Sequence, residues 1–183
     1  PRCAAPNPTP TTSHNHCAAV LEPYEAGLPP HMLSVLLGPT SDVAELLVKD
    51  SRVDIVSFTG SVAVGKKISQ LAGYKKIVLE LGGNDPIIIL EDADLDLAVT
   101  LAAEGSFRNS GQRCTAVKRI LVHENVIDEF TRRFVETAKE YRCGDPAADD
   151  TKVGTVIDEQ AAIYLERVVK DAVAQGAKVL LGG

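Results

Sequence analysis

Only four cysteines are present, Cys3, Cys17, Cys114 and Cys143, and no two of them form a CxxC pair. That spacing excludes the disulfide framework of small secreted domains and points to reduced thiols in the cytoplasm. No basic stripe interrupts a net charge of −6, which argues against nucleic acid as a partner. Long apolar runs are missing as well. The longest, such as Pro86–Leu90, are far too short to span a bilayer, so no membrane association is expected. No charged-then-apolar leader opens the sequence, and no internal repeat is visible. His14, His16 and Cys17 cluster without a second ligand pair at zinc spacing, so no metal is expected. What is there is 183 residues, 45% apolar and 24% charged, enough for one ordinary domain or parts of two.

Pro1–Asn15 is crowded with Pro, Thr, Asn and Ser, and residues 1–24 are expected to be irregular. The character changes from Gly27 onward. Leu33–Leu37 reads as a buried strand closed by Gly38-Pro39. Ser41 then caps a helix over Asp42–Lys49 whose inner face carries Val43, Leu46 and Leu47. Val53–Phe58 is a second strand, and Ser61 caps a helix over Val62–Ala72. Lys76–Leu81 and Pro86–Leu90 are further strands separated by Gly82-Gly83-Asn84-Asp85. A helix over Leu95–Phe107 is opened by acidic residues, which suit a helix N-terminus. A strand near Arg119–His123, helices over Val126–Tyr141 and Glu159–Gln175, and the start of a strand at Val179–Leu181 complete the chain. Strands alternating with helices predict an α/β fold with a parallel sheet.

Three segments carry candidate chemistry. In Phe58-Thr59-Gly60-Ser61, with Gly65 four residues on, a strand end turns into a helix whose free N–H groups face an anion. Glycine admits a pyrophosphate close to backbone, although any strand-to-helix turn also favours glycine and a capping serine. In Leu79-Glu80-Leu81-Gly82-Gly83, alternation places Glu80 opposite the face of Leu79 and Leu81. Burial of a carboxylate among aliphatics raises its pKa and suits a base, whereas a solvated strand-end glutamate is the commoner fate. In Asn109-Ser110-Gly111-Gln112-Arg113-Cys114-Thr115, a cysteine beside an arginine on a polar, glycine-containing segment is reachable as a thiolate. Cys143, which follows a helix and precedes Gly144-Asp145-Pro146, reads as structural.

The three segments in this order, with 34 residues from Glu80 to Cys114, resemble the aldehyde dehydrogenase superfamily from about Glu25 to Gly183. The resemblance implies a partial Rossmann-type cofactor domain over residues 25–81, joined to the first part of a catalytic α/β domain over residues 82–183. It implies that Cys114 attacks the aldehyde and passes through a thioester, that Glu80 activates water, and that the Cys114 N–H is an oxyanion donor. It also implies that NAD or NADP is held by Phe58, Thr59, Gly60, Ser61, Gly65, Leu81 and Gly82, and that the whole protein is a homodimer or homotetramer. Within the superfamily, Leu81–Pro86 and Ser110–Arg119 are similar to phosphonoacetaldehyde dehydrogenases, and also to non-phosphorylating glyceraldehyde-3-phosphate dehydrogenases and lactaldehyde dehydrogenases. Arg113 suits an anionic aldehyde, because a guanidinium holds a phosphonate or phosphate by charge-assisted bonds; its alternative is a structural salt bridge.

Residues 1–24 depart from the family pattern. An ungapped count sets Asn7 and Pro10 where the family has a lysine and a glutamate for the adenosine ribose. One hypothesis is a shifted reading frame joined to a genuine one downstream. The family's oxyanion asparagine falls before this sequence, and its nicotinamide-ribose glutamate falls after it. The 183 residues are therefore expected to be incomplete as a catalyst, with bare apolar faces, and a non-catalytic remnant is the competing reading.

Overall fold

Parallel strands need a crossover between them, and both pairings in this chain use a helix for it. The computed structural model describes residues 23–29, 31–34, 36 and 40–182, with 40–42 described in backbone only. The expectations for residues 1–22, including His14, His16, Cys17, Asn7 and Pro10, lie outside the described residues. Two compact units divide between Gly82 and Gly83.

The first unit carries α1 (Thr40–Lys49), β1 (Ile55–Thr59), α2 (Val62–Leu71) and β2 (Lys76–Glu80). β1 and β2 pair in parallel from Ile55↔Lys76 to Thr59↔Glu80. Ser61 leaves β1 in extended conformation, and its hydroxyl accepts the Val64 N–H at 3.3 Å, which starts α2 where the sequence placed it. Val48, Ile68 and Ala72 are the buried core, against which Val56, Phe58, Leu71 and Leu79 pack. The expected inner face of α1 needs correction. Val43 is half-buried, but Leu46 is 69% exposed and Leu47 is exposed too. Helical spacing of four instead brings Ala44 and Val48 to the groove shared with Ile68 of α2. The helix also begins two residues before Asp42, which leaves Ser41 inside it.

The second unit carries β3 (Asp85–Ile89), α3 (Leu95–Phe107), β4 (Val117–Val122), α4 (Ile127–Ala138) and α5 (Glu159–Ala174). β3 and β4 are parallel, and the register slips from Asp85↔Val117 to Pro86↔Arg119, so Lys118 stands unmatched as a bulge. Asp94 caps α3 by accepting the N–H groups of Asp96 and Leu97 at 3.0 and 3.1 Å. Along α3 the sheet-facing residues are small. Ala102 and Ala103 are 0% exposed, and Ala98 and Val99 are buried beside them. A Cβ on Gly105 would come within 2.7 Å of Val117, so the last turn of α3 lies directly on β4. Phe130 of α4 completes a core with Ile89, and Ile87, Ile120 and Val122 point the same way.

Strand alternation leaves Ile88 66% and Leu121 49% exposed, so the described residues cover one face of this sheet and not the other. Two expected strands do not appear among the described residues. Leu33, Ser34 and Leu36 carry no ladder, with Val35 and Leu37 outside the described residues, and Val179–Leu181 carry none either. Apolar composition prepares a strand, but a ladder needs a neighbour, and among the described residues these runs have none. α4 stops three residues before Tyr141 in tighter turns, Glu140 N–H to Thr137 O and Tyr141 N–H to Ala138 O.

Because α3 approaches the sheet through alanines, Ala102→Leu has no space to fill. It is expected to lower unfolding free energy by about 1–3 kcal/mol in urea titration.

Candidate active site

In the first unit the sequence-predicted residues gather at the carboxyl ends of the parallel strands. The Gly60 N–H donates to the Glu80 carbonyl at 3.0 Å, which fastens the turn after β1 to the end of β2. Phe58 is half-buried, while Thr59, Gly60 and Ser61 are exposed. A Cβ on Gly60 would fall 2.4 Å from the Phe58 ring. The first turn of α2 carries no acidic side chain, so no carboxylate of that turn competes for an anion at its amides. Gly65 is buried, and a Cβ there would lie 2.6 Å from Leu81. Glu80 is exposed, with Leu79 and Leu81 only half-buried beside it, which corrects the expectation of a carboxylate set among buried aliphatics. Gly82 follows, also exposed.

Between α1 and α2 runs an apolar groove of about 200 Å³ lined by Ala44, Val48, Phe58, Val64 and Ile68. Glu45 and Lys67 close its edge. Glu45 accepts from Lys49 at 2.6 Å and from Lys67 at 2.9 Å. Those two ammonium donors, that of Lys49 first, hold its carboxyl down at about 2.

In the second unit the chain leaves α3 through a 3₁₀ turn, Arg108–Gly111, with three successive left-handed residues. Asn109 and Ser110 have φ of 53° and 56°, and Gly111 has 71°. L-residues resist that region by roughly 1–2 kcal/mol each, so the neighbouring contacts must hold the turn. A Cβ on Gly111 would meet the Ser106 carbonyl at 2.9 Å, which makes glycine a requirement there. Gln112 Nε2 donates to the Thr155 carbonyl at 3.1 Å. Arg113 folds back onto α3, where Nη2 donates to Gly105 O at 3.1 Å. Its buried Nε meets no acceptor, and it makes no ion pair among the described residues. The salt-bridge alternative for Arg113 therefore finds no carboxylate. Cys114 comes next, a free and exposed thiol. Its own N–H donates to no described backbone or side chain. Cys143 is exposed too, and its backbone forms an isolated bridge with Val153.

No cluster of three His, Cys, Asp or Glu side chains suited to a metal occurs among the described residues. No helix among them is long and apolar enough to cross a membrane. The Aldehyde dehydrogenase family model matches residues 5–183. The chain belongs to this family. It is 43% identical over 159 residues to the sulfoacetaldehyde dehydrogenase of Neptuniibacter caesariensis, a match covering 87% of this chain and 35% of that protein. It is 40% identical over 156 residues to the lactaldehyde dehydrogenase of Methanococcus aeolicus, covering 85% and 34%. Among solved structures, the NADP-dependent glyceraldehyde-3-phosphate dehydrogenase of Bacillus halodurans, complexed with NADP, superposes with a TM-score of 0.89 at 37% identity. That match covers 93% of this chain and 36% of the other. The chain thus spans about a third of the length of the curated relatives it matches.

In this aldehyde dehydrogenase chain the structure adds residues that the sequence reading passed over. Lys118 Nζ donates to the carbonyls of Arg113, Cys114 and Ala116 at 3.2, 3.0 and 3.1 Å. A Cβ on Gly83 would lie 3.0 Å from the Cys114 carbonyl oxygen, so that close approach needs glycine. Arg119 Nε donates to Asn84 O at 3.0 Å. The available signal was a lysine-arginine pair at the start of an otherwise apolar strand, shortly after the cysteine.

The Glu45 pairing makes a pH prediction. Its carboxyl is depressed in the folded chain, so the contribution of the pairing is present above the ordinary 4.5 and fades as pH falls toward 2. Carbon-13 titration should find the Glu45 midpoint near 2, moving up toward 4.5 in Lys67→Met.

Proposed function

We propose that the full-length protein oxidises an anionic aldehyde to its carboxylic acid with NAD or NADP, through a thioester on Cys114. The observation that carries this reading is an exposed, free thiol whose own N–H has no acceptor among the described residues, on a loop fixed at both sides. Cys114 Sγ attacks the aldehyde carbon, and the oxygen that gains charge receives the Cys114 N–H. NAD or NADP held at the Phe58–Ser61 turn would supply the two-electron oxidant for the hydride of the adduct, leaving the thioester on Cys114. Glu80 then takes a proton from water, which attacks the thioester carbon and expels the Cys114 thiolate with release of the acid.

The residues at the strand ends fit a dinucleotide. Phe58, Thr59, Gly60 and Ser61 form the turn that would hold its phosphates, with the first turn of α2 free of carboxylates. Gly65 lets Leu81 close against α2, so that the Leu81 and Gly82 backbone would carry the nicotinamide side. The groove between α1 and α2 offers an apolar slot for the base.

For the aldehyde, the reading favours phosphonoacetaldehyde, giving phosphonoacetate, ahead of lactaldehyde and glyceraldehyde 3-phosphate. The relative from Neptuniibacter is named for sulfoacetaldehyde, whose sulfonate stands where the other carries a phosphonate. Arg113 uses Nη2 on Gly105 and keeps further guanidinium donors for such an anion. We place the whole protein in the cytoplasm as a homo-oligomer.

Two variants of the full-length protein test this. Cys114→Ala should abolish turnover, a loss of at least about 10³-fold for removal of a covalent nucleophile. Glu80→Gln should release a burst of about one equivalent of NAD(P)H per site and then stall, because acylation precedes the step that needs the base. Steady turnover by Glu80→Gln without a burst would refute the assignment of the base. The ratio of kcat/KM between phosphonoacetaldehyde and lactaldehyde decides the substrate class, and it should fall by about 10-fold or more in Arg113→Met if the guanidinium binds the anion.

A further inference from the structure

We propose that Lys118 is a positioning residue that aims the Cys114 N–H as an oxyanion donor. The inference rests on the reading of Cys114 as nucleophile. The bulge between Asp85↔Val117 and Pro86↔Arg119 leaves Lys118 without a counterpart in the β3–β4 register. Bulges of this kind re-aim side chains. The side chain returns along its own chain, and its ammonium reaches three carbonyls, Arg113 O at 3.2 Å, Cys114 O at 3.0 Å and Ala116 O at 3.1 Å. An ammonium has three N–H donors, so the set is complete. Asp85 Oδ2 stands 3.7 Å from the same nitrogen and balances its charge without taking one of its donors.

The consequence follows from the peptide plane. In a trans peptide the C=O and the following N–H point in opposite directions. Drawing Arg113 O toward Lys118 therefore turns the Cys114 N–H away from the lysine, on the opposite side of the loop. That N–H and the following one of Thr115 donate to nothing described, whereas the flanking Arg113 N–H and Ala116 N–H are engaged, with Gly111 O at 3.0 Å and Arg113 O at 3.2 Å. A donor fixed in direction and unspent in the ground state is what a developing oxyanion requires. Glycine at position 83 leaves room for this arrangement, since an added Cβ there would lie 3.0 Å from Cys114 O.

The three acceptors surround a tetrahedral donor, which the planar fork of arginine does not reproduce. The proposal therefore separates geometry from charge. In the full-length protein, Lys118→Met and Lys118→Arg are both expected to lower kcat by about 10- to 100-fold, with KM moved less than about twofold, as for loss of a donor used in the transition state. Hydrogen exchange adds a readout independent of turnover. Amides of residues 112–116 should exchange about tenfold faster in Lys118→Met, while those of α3 and β4 hold their wild-type rates. Wild-type kcat in Lys118→Arg would overturn the tripod, and unchanged loop exchange with wild-type kcat in Lys118→Met would overturn the positioning role. Should Lys118→Met fail to fold, the kcat and KM of Lys118→Arg decide alone. If Cys114→Ala still turns over, the underlying reading fails instead; if Cys114 is essential and both lysine variants match wild type, only the present inference fails.

Discussion

Helix α3 lies close to its neighbours because its inner face carries mostly small side chains, alanines with Val99 among them. Ala98, Val99 and Ala102 are buried with Ile89 of β3 and Phe130 of α4, and a Cβ on Gly105 would lie 2.7 Å from Val117 of β4. That close seat sets where the chain must leave the helix. The exit takes three left-handed residues in succession, an arrangement that costs free energy and needs its surroundings to hold it. Everything that follows, including the direction in which Cys114 faces, inherits its position from this packing.

The loop is held from several directions by bonds to its backbone. Gln112 reaches the Thr155 carbonyl, Arg113 reaches back to Gly105, and Lys118 collects three carbonyls after the turn. Side-chain-to-backbone bonds of this kind fix peptide planes and leave the thiol free. The first unit uses the same economy. Its turn at Gly60 is tied to the Glu80 carbonyl, so the amides ahead of α2 and the Glu80 backbone share one strand end.

Much of the fold was legible in the residues. Ser61 and the acidic run before Leu95 marked helix starts, because a capping oxygen or a carboxylate leaves a local signature. The candidate site was legible as three segments taken together in their order and spacing, since a turn glycine, a strand-end glutamate or a cysteine alone has an ordinary structural reading. What escaped were features that depend on other parts of the chain. The inner face of α1 turned on which helix lies beside it, so Val48 is buried and Leu46 is not. Leu33–Leu37 and Val179–Leu181 have strand composition, but Leu33, Ser34, Leu36 and Val179–Leu181 carry no ladder among the described residues. Lys118 received no role from the sequence, because the bulge that re-aims it exists only in the pairing of β3 with β4.

The central claim is that the thiol at residue 114 carries the acyl group. Full-length protein incubated with NAD(P) and phosphonoacetaldehyde, quenched in acid within the first turnover and mapped by peptide mass, tests it most directly. The account predicts an added acyl mass, removable by hydroxylamine, on the peptide containing Cys114 and none on that containing Cys143. Acid product formed with the label on another residue, or with no covalent adduct at any time point, would contradict it.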